Sequence, residues 1–137
     1  MAQNRKMQGF VESKHLGLVG EDGAAGGPLM VFHLSTAGSG TSNTSLTMAE
    51  KVRVIDAFCY LRAAGAASDT LQVFNGSDAI SDAIDVSGGA NTRAAAGEMD
   101  DTKVEIAAGG TLKVTHTDAA SSDAPVIDVY VLAVKVA

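Results

Sequence analysis

The sequence predicts an all-β protein: a single antiparallel β-sandwich or barrel of about eight strands, preceded by an extended N-terminal arm. Three observations carry that expectation. Two long stretches, residues 126–136 and 51–63, place β-branched and aromatic residues on both parities, as strands do when most of their length is covered on both faces. Shorter alternating runs recur between clusters of Gly, Ser, Asn and Asp at the spacing of turns in such folds. No stretch makes a convincing helix, and no internal repeat is visible.

The last stretch, Val-Ile-Asp-Val-Tyr-Val-Leu-Ala-Val-Lys-Val, follows Pro125, a position where the missing N–H is tolerated. Its only match in length is residues 51–63, where Val52, Val54, Phe58 and Tyr60 alternate with Ile55, Ala57, Cys59 and Leu61. At about 3.3 Å per residue each spans roughly 35 to 40 Å. They are expected to be antiparallel neighbours at the centre of the fold.

In chain order, residues 1–28 read as an arm, because they lack periodicity and close with Gly20, Gly23, Gly26, Gly27 and Pro28. Residues 29–137 read as the sandwich. Leu29 to Leu34 is a short apolar strand, and the polar residues 35–47 read as a surface loop. Thr47-Met48-Ala49-Glu50 has capping-box spacing, but the period-two run after it argues against a helix. After the small-residue turn at residues 64–68, residues 70–74 alternate back as a hairpin partner of the long strand and stop at the turn dipeptide Asn75-Gly76. Residues 78–86 fit a strand better than a helix, since Ile80, Ile84 and Val86 share parity. Residues 91–96 read as a short edge strand. Residues 102–106 and 111–115 flank Ala107-Ala108-Gly109-Gly110 as a second hairpin, and residues 117–123 form a polar loop.

Composition narrows the function. Aromatics are 4% and Trp is absent, so the core is built from Val, Ile, Leu and Ala. A net charge of -6 argues against a nucleic-acid binder, which normally carries a basic stripe. The charge is uneven: residues 1–16 hold Arg5, Lys6 and Lys14 against Glu12, a net +2, leaving -8 on the rest. A weakly basic arm on an acidic body fits docking onto an acidic protein surface. The arm also carries Phe10, Val11, Leu16, Leu18 and Val19, apolar residues that call for a surface to lie on, either the domain's own or a neighbour's. One Cys excludes an intramolecular disulfide, and Cys59 is expected in the core. No apolar run reaches membrane-span length, so no membrane partner is expected.

No catalytic constellation is visible. His15, His33 and His116 lack metal-ligand spacing and read as surface or core histidines. Asp78, Asp82, Asp85, Asp100 and Asp101 form the densest acidic group without a calcium-loop pattern, and read as solvated carboxylates. The Gly tracts do not join a strand to a helix as phosphate cradles do. Neither a catalytic, a cofactor-binding nor a metal residue is assigned. Asp56 and Asp128 interrupt apolar runs on the long strands and need partners there, with Arg53 and Lys135 as candidate cations.

Several segments together resemble a family. Val54-Ile55-Asp56-Ala57, Thr70-Leu71-Gln72-Val73 with Asn75-Gly76, and Ala79-Ile80-Ser81-Asp82-Ala83-Ile84-Asp85 form the first part. Ile106-Ala107-Ala108-Gly109-Gly110-Thr111-Leu112-Lys113-Val114 and Asp128-Val129-Tyr130-Val131 continue it. Over residues 51–137 the chain resembles the capsid cement, or decoration, proteins of tailed bacteriophages. The resemblance implies a β-sandwich of jelly-roll type and a non-enzymatic virion protein on the outer capsid surface, made in the bacterial host cytoplasm. Its partners would be the major capsid protein, whose subunits it bridges, and further copies of itself as a homodimer or homotrimer. Arms and loops grip the shell in such proteins. The resemblance does not extend to the arm, where Arg5, Lys6, Phe10, Val11, Lys14, Leu16, Leu18 and Val19 are the candidate capsid-binding residues. The alternative is a head fibre or a receptor- or glycan-binding sandwich, which would show exposed aromatics in its loops.

Overall fold

The computed structural model describes residues 28–37, 40–118 and 126–137. These residues form ten strands and no helix. One sheet, here sheet A, is ordered β1 (Leu29–Thr36), β10 (Ile127–Lys135), β3 (Val52–Leu61), then β7 (Thr92–Ala95) and β8 (Glu105–Ile106), which share the far side of β3. Sheet B is ordered β2 (Ser42–Thr47), β9 (Thr111–Thr117), β4 (Thr70–Asn75), then β5 (Asp78–Ala79) and β6 (Ile84–Asp85) along β4. Every pairing is antiparallel. Counting each split pair as one, there are eight strand positions, and successive positions are distributed over two sheets in jelly-roll order.

The two long strands are neighbours, as the sequence predicts: β10 pairs with β3 from Ile127↔Leu61 to Lys135↔Val52 and has β1 on its other side. The ladder is interrupted once, between Leu132 and Ala133, which oppose Asp56 and Val54 and leave Ile55 as an extra residue. This bulge corrects the predicted faces of β3. Val52 and Val54 point inward on one side of it and Ala57, Cys59 and Leu61 on the other, because one inserted residue reverses the parity of a strand. Burial raises the Cys59 thiol to about 11.

Three further expectations are corrected. Residues 42–47 are not loop but β2, the outer strand of sheet B, a polar Thr/Ser-rich segment paired along its whole length with β9. The run at residues 70–74 does not fold back on β3: β4 lies in the opposite sheet between β9 and β5/β6. Residues 62–69 therefore cross between layers. The crossing passes so close to another segment that a Cβ on Gly65 would sit 1.9 Å from the Val86 carbonyl oxygen, and the Gly65 amide donates to the Gly88 carbonyl. Likewise β8 and β9 are not a hairpin, since β8 joins β3 and β9 lies in sheet B. The turn between them does form, with Gly109 at φ +81° and the Gly110 amide donating to Ala107. The Asn75-Gly76 turn joins β4 to β5 as expected, with Gly76 at φ +61°.

Between the layers, Ile127, Val129, Val131 and Ala133 of β10 and the inward residues of β3 meet Leu71, Val73, Leu112 and Val114 of sheet B. Small aliphatic side chains predominate, so the core is a thin, close-packed slab. Of the two acids on the long strands, Asp128 is buried, and Asp56 is half-buried and accepts the Ala57 amide at the bulge.

Candidate binding face

The outer faces of the two sheets differ in chemistry. On sheet B the strand residues that point away from the core are mostly Thr, Ser, Asn, Gln and Lys: Asn43 and Ser45 on β2, Lys113 and Thr115 on β9, Gln72 on β4. Among the described residues Phe74 is the one large apolar side chain there, and the Lys113 ammonium lies 4.6 Å from its ring centroid. The outer face of sheet A is apolar and aromatic. Leu29 and Val31 of β1, Ile55 of the bulge and Tyr60 of β3 are all well exposed, Val31 at 57%. Leu132 and Val134 lie half-buried between them on β10.

Across the middle of this face runs a ladder of rings, one from each of three adjacent strands. His33 stacks on Tyr130 with centroids 5.1 Å apart, and Tyr130 stacks on Phe58 at 5.3 Å. The guanidinium of Arg93, on β7, then covers Phe58 at 4.7 Å. The register explains the alignment: His33, Tyr130 and Phe58 are direct cross-strand partners, and Arg93 opposes the neighbouring Tyr60. Such stacked pairs contribute about 0.5–1.5 kcal/mol each beyond burial. Tyr130 and Phe58 are thereby covered on both sides, whereas His33 at the end of the ladder and Tyr60 stay exposed.

A polar cluster closes the end of the ladder. The Asp128 carboxylate accepts hydrogen bonds from Arg62 Nε, from Arg62 Nη2 at 2.9 Å and from His33 Nε2 at 2.9 Å. The Arg62 bond holds the Asp128 carboxyl below the usual carboxylate range, burial opposes it, and the His33 bond adds to it. Neither cation suggested by the sequence serves here: Arg53 pairs with Glu105 and Lys135 with Glu50, because both lie at the opposite end of the long pair. Arg62, one residue past β3, reaches Asp128 instead. Glu105 also takes Lys51 at 3.0 Å and is held low by these two cations, Arg53 foremost.

Of the predicted capsid-binding residues, Arg5, Lys6, Phe10, Val11, Lys14, Leu16, Leu18 and Val19 all lie outside the described residues, as does His15. His33 is exposed on sheet A and His116 is fully buried, 3.8 Å from the equally buried Asp69. Among the described residues no group of His, Cys, Asp and Glu converges as a metal-ligand set. Three of the acids at residues 78–101 shape loops: Asp82 accepts the Gly97 amide, Asp85 accepts from Ser87, and Asp100 from Thr102, while Asp78 lies 3.8 Å from the Lys103 ammonium. Both Asp85 and Asp100 are held low by those bonds. The sheet A face was missed as a site because its residues come from four distant segments. The signal for it was present in the terminal strand, where Tyr130, Leu132 and Val134 make the second parity as apolar as the first. Comparisons of the chain with protein-family models, with curated proteins and with solved structures give no match.

Proposed function

We propose that the chain is a structural binding protein that docks on the outer surface of an assembled bacteriophage capsid and stabilises it by bridging major capsid protein subunits. The observation that carries this reading is the contrast between the two outer faces: one sheet presents Thr, Ser and Asn to water, and the other an apolar, ring-laddered surface. A contiguous exposed apolar face rimmed by charge marks a protein interaction surface. Arg62, Arg93, His33 and Asp128 rim it here. A sheet cross-braced by stacked rings has little to rearrange on binding, which favours attachment to a rigid lattice. Binding only the assembled shell would stabilise that state by linkage. The basic residues Arg5, Lys6 and Lys14 would add a second, salt-sensitive contact. Stacking covers the ring faces of Tyr130 and Phe58, which a sugar would need open, and this weighs against the glycan-binding alternative at the centre of the face.

The test is quantitative protein analysis of purified virions from a phage that carries this chain, together with co-sedimentation on its capsids. A fixed copy number relative to the shell protein is expected. Val31→Asp should weaken co-sedimentation at least tenfold, about 1.4 kcal/mol, while Thr115→Lys on the opposite face should not. Absence from virions would refute the capsid as partner. Equal binding by both variants would refute the face.

A further inference from the structure

On the side of the sandwich away from β1 and β2, one side chain joins the two sheets. Asn75, the last residue of β4 in sheet B, directs its amide nitrogen at the segment that runs into β8 of sheet A. Its Nδ2 group donates to the Lys103 carbonyl at 3.1 Å and to the Glu105 carbonyl at 2.9 Å. The carbonyl between them, that of Val104, accepts the Val54 amide of β3 at 2.9 Å. Residues 103–105 are thus held by the β3 backbone of one sheet and by a single side chain of the other. β8 pairs with β3 over only two residues, Glu105 and Ile106, so the clamp adds two hydrogen bonds where the ladder is short.

The same residue begins the dipeptide Asn75-Gly76, the pairing in which asparagine loses ammonia most readily, because glycine has no side chain to hinder attack by its own nitrogen. We propose that Asn75 is a deamidation site gated by the fold: shut while the clamp holds, open when it parts, and unable to close again once it has reacted. In the reaction the Gly76 backbone nitrogen gives up its proton and attacks the Asn75 side-chain carbonyl carbon. Ammonia leaves with the Nδ2 nitrogen, and water then opens the cyclic imide to aspartate or isoaspartate. The folded chain withholds each participant. The Gly76 N–H is tied to the Thr111 carbonyl at 2.8 Å, and Nδ2 donates to two carbonyls. Asn75 is also paired in register with Leu112 on one side and Asp78 on the other, which fixes the extended backbone and prevents the rotation that brings the Gly76 nitrogen round to the side chain. Neither residue is replaceable without loss: the turn needs Gly76 at φ +61°, and the clamp needs a neutral group with two N–H donors. The product does not fit. A carboxylate has no hydrogen to donate and sets negative charge against two carbonyl oxygens, and isoaspartate lengthens the main chain by an atom inside the β4–β9 register. Residues 103–105 then lose their hold on sheet B. No step involves the outer face of sheet A or a capsid.

The experiment incubates the full chain alone in mildly alkaline buffer, native and in urea, and follows conversion at residue 75 by peptide mass spectrometry. In urea Asn75 should deamidate at least tenfold faster than in the native protein, and faster than Asn43 and Asn91, each of which is followed by Thr. Equal rates at Asn75 in the native and the unfolded chain would overturn the gate. Asn75→Asp, which carries the side chain of the product, should melt below Asn75→Ala, which lacks the clamp but adds no charge. An Asn75→Asp melt equal to or above that of Asn75→Ala would overturn the irreversible step. Where both variants fail to fold, the parent decides: chain deamidated at residue 75 in urea and returned to buffer should recover less of the native melt than freshly unfolded chain, and equal recovery would overturn that step.

Discussion

Val131 and Leu132 are adjacent on β10 and face opposite ways, so one charged substitution at each separates the fold from the binding face. Val131 is 0% exposed between Phe32 and Ala57. Val131→Asp forfeits about 2 kcal/mol of aliphatic burial and buries a carboxylate with no partner, which costs several kcal/mol more. Against a total stability of about 5–15 kcal/mol for a domain, the variant should be unfolded or nearly so. Leu132 is half-buried on the outer face, in register with Val31 and with the half-buried Asp56. Leu132→Lys keeps an aliphatic stem over the sheet, places its ammonium towards Asp56, and should lose at most about 1 kcal/mol. That corresponds to a melting shift of about 4 °C or less for a domain of this size. Thermal and urea denaturation followed by circular dichroism measure both. Leu132→Lys should in addition lose co-sedimentation with capsids although folded. If the two variants melt alike, whether both folded or both unfolded, the division of β10 into an inner and an outer face is wrong.

Three other outcomes follow from local geometry. Asp85, Asp100, Glu105 and Asp128 all have folded-state carboxyls held below their unfolded values. Their contribution to stability is therefore present above the unfolded values, near pH 4, and is lost as pH falls through the folded ones. The urea midpoint should hold from pH 7 to about 5 and then drop, less steeply in Asp128→Asn; a midpoint that rises on acidification would contradict the assignment. The Cys59 thiol, buried and raised to about 11, should resist a disulfide reagent at pH 8 until the protein is unfolded, and rapid labelling of native protein would place it at the surface. Gly65→Ala should lower the melting temperature by 10 °C or more, because its Cβ would meet backbone at Val86 rather than a movable side chain; an unchanged melt would mean that the crossing loop is slack.

Much of the architecture is legible in the sequence because burial on both faces of a strand leaves a mark that needs no partner to be read. The central pair is the clearest case, and Ile80, Ile84 and Val86, which share strand parity, are all buried. What escapes is the allocation of strands to layers. Turn chemistry at Asn75-Gly76 and Ala107–Gly110 reads correctly, but a turn reports that the chain reverses and not which sheet it rejoins, so two predicted hairpins are crossings between layers. The polar β2 escapes for a different reason. A strand at the rim of one sheet buries little, and Ser42–Thr47 gains its order from the β9 ladder rather than from its own pattern. The binding face depends on the same kind of hidden fact. Until the bulge at Ile55 is known, Arg53 and Asp56 stand on opposite parities of β3, and Arg62, outside the strand altogether, gives no sign that it reaches back to Asp128.

The broken strands at the far rim set a limit on self-association. A fibre built by joining one sheet to the next needs an unbroken rim on both sides of that sheet, so that each copy can receive one neighbour and offer itself to another. Sheet A has such a rim at β1, eight residues long, but on the other side only the four residues of β7 and the two of β8, aligned to different parts of β3. Sheet B ends in pieces of two residues each, β5 and β6. Among the described residues, a copy that joined another through β1 would leave no second unbroken rim on sheet A, so that sheet could not extend a row beyond a pair; the other unbroken rim, β2, belongs to sheet B.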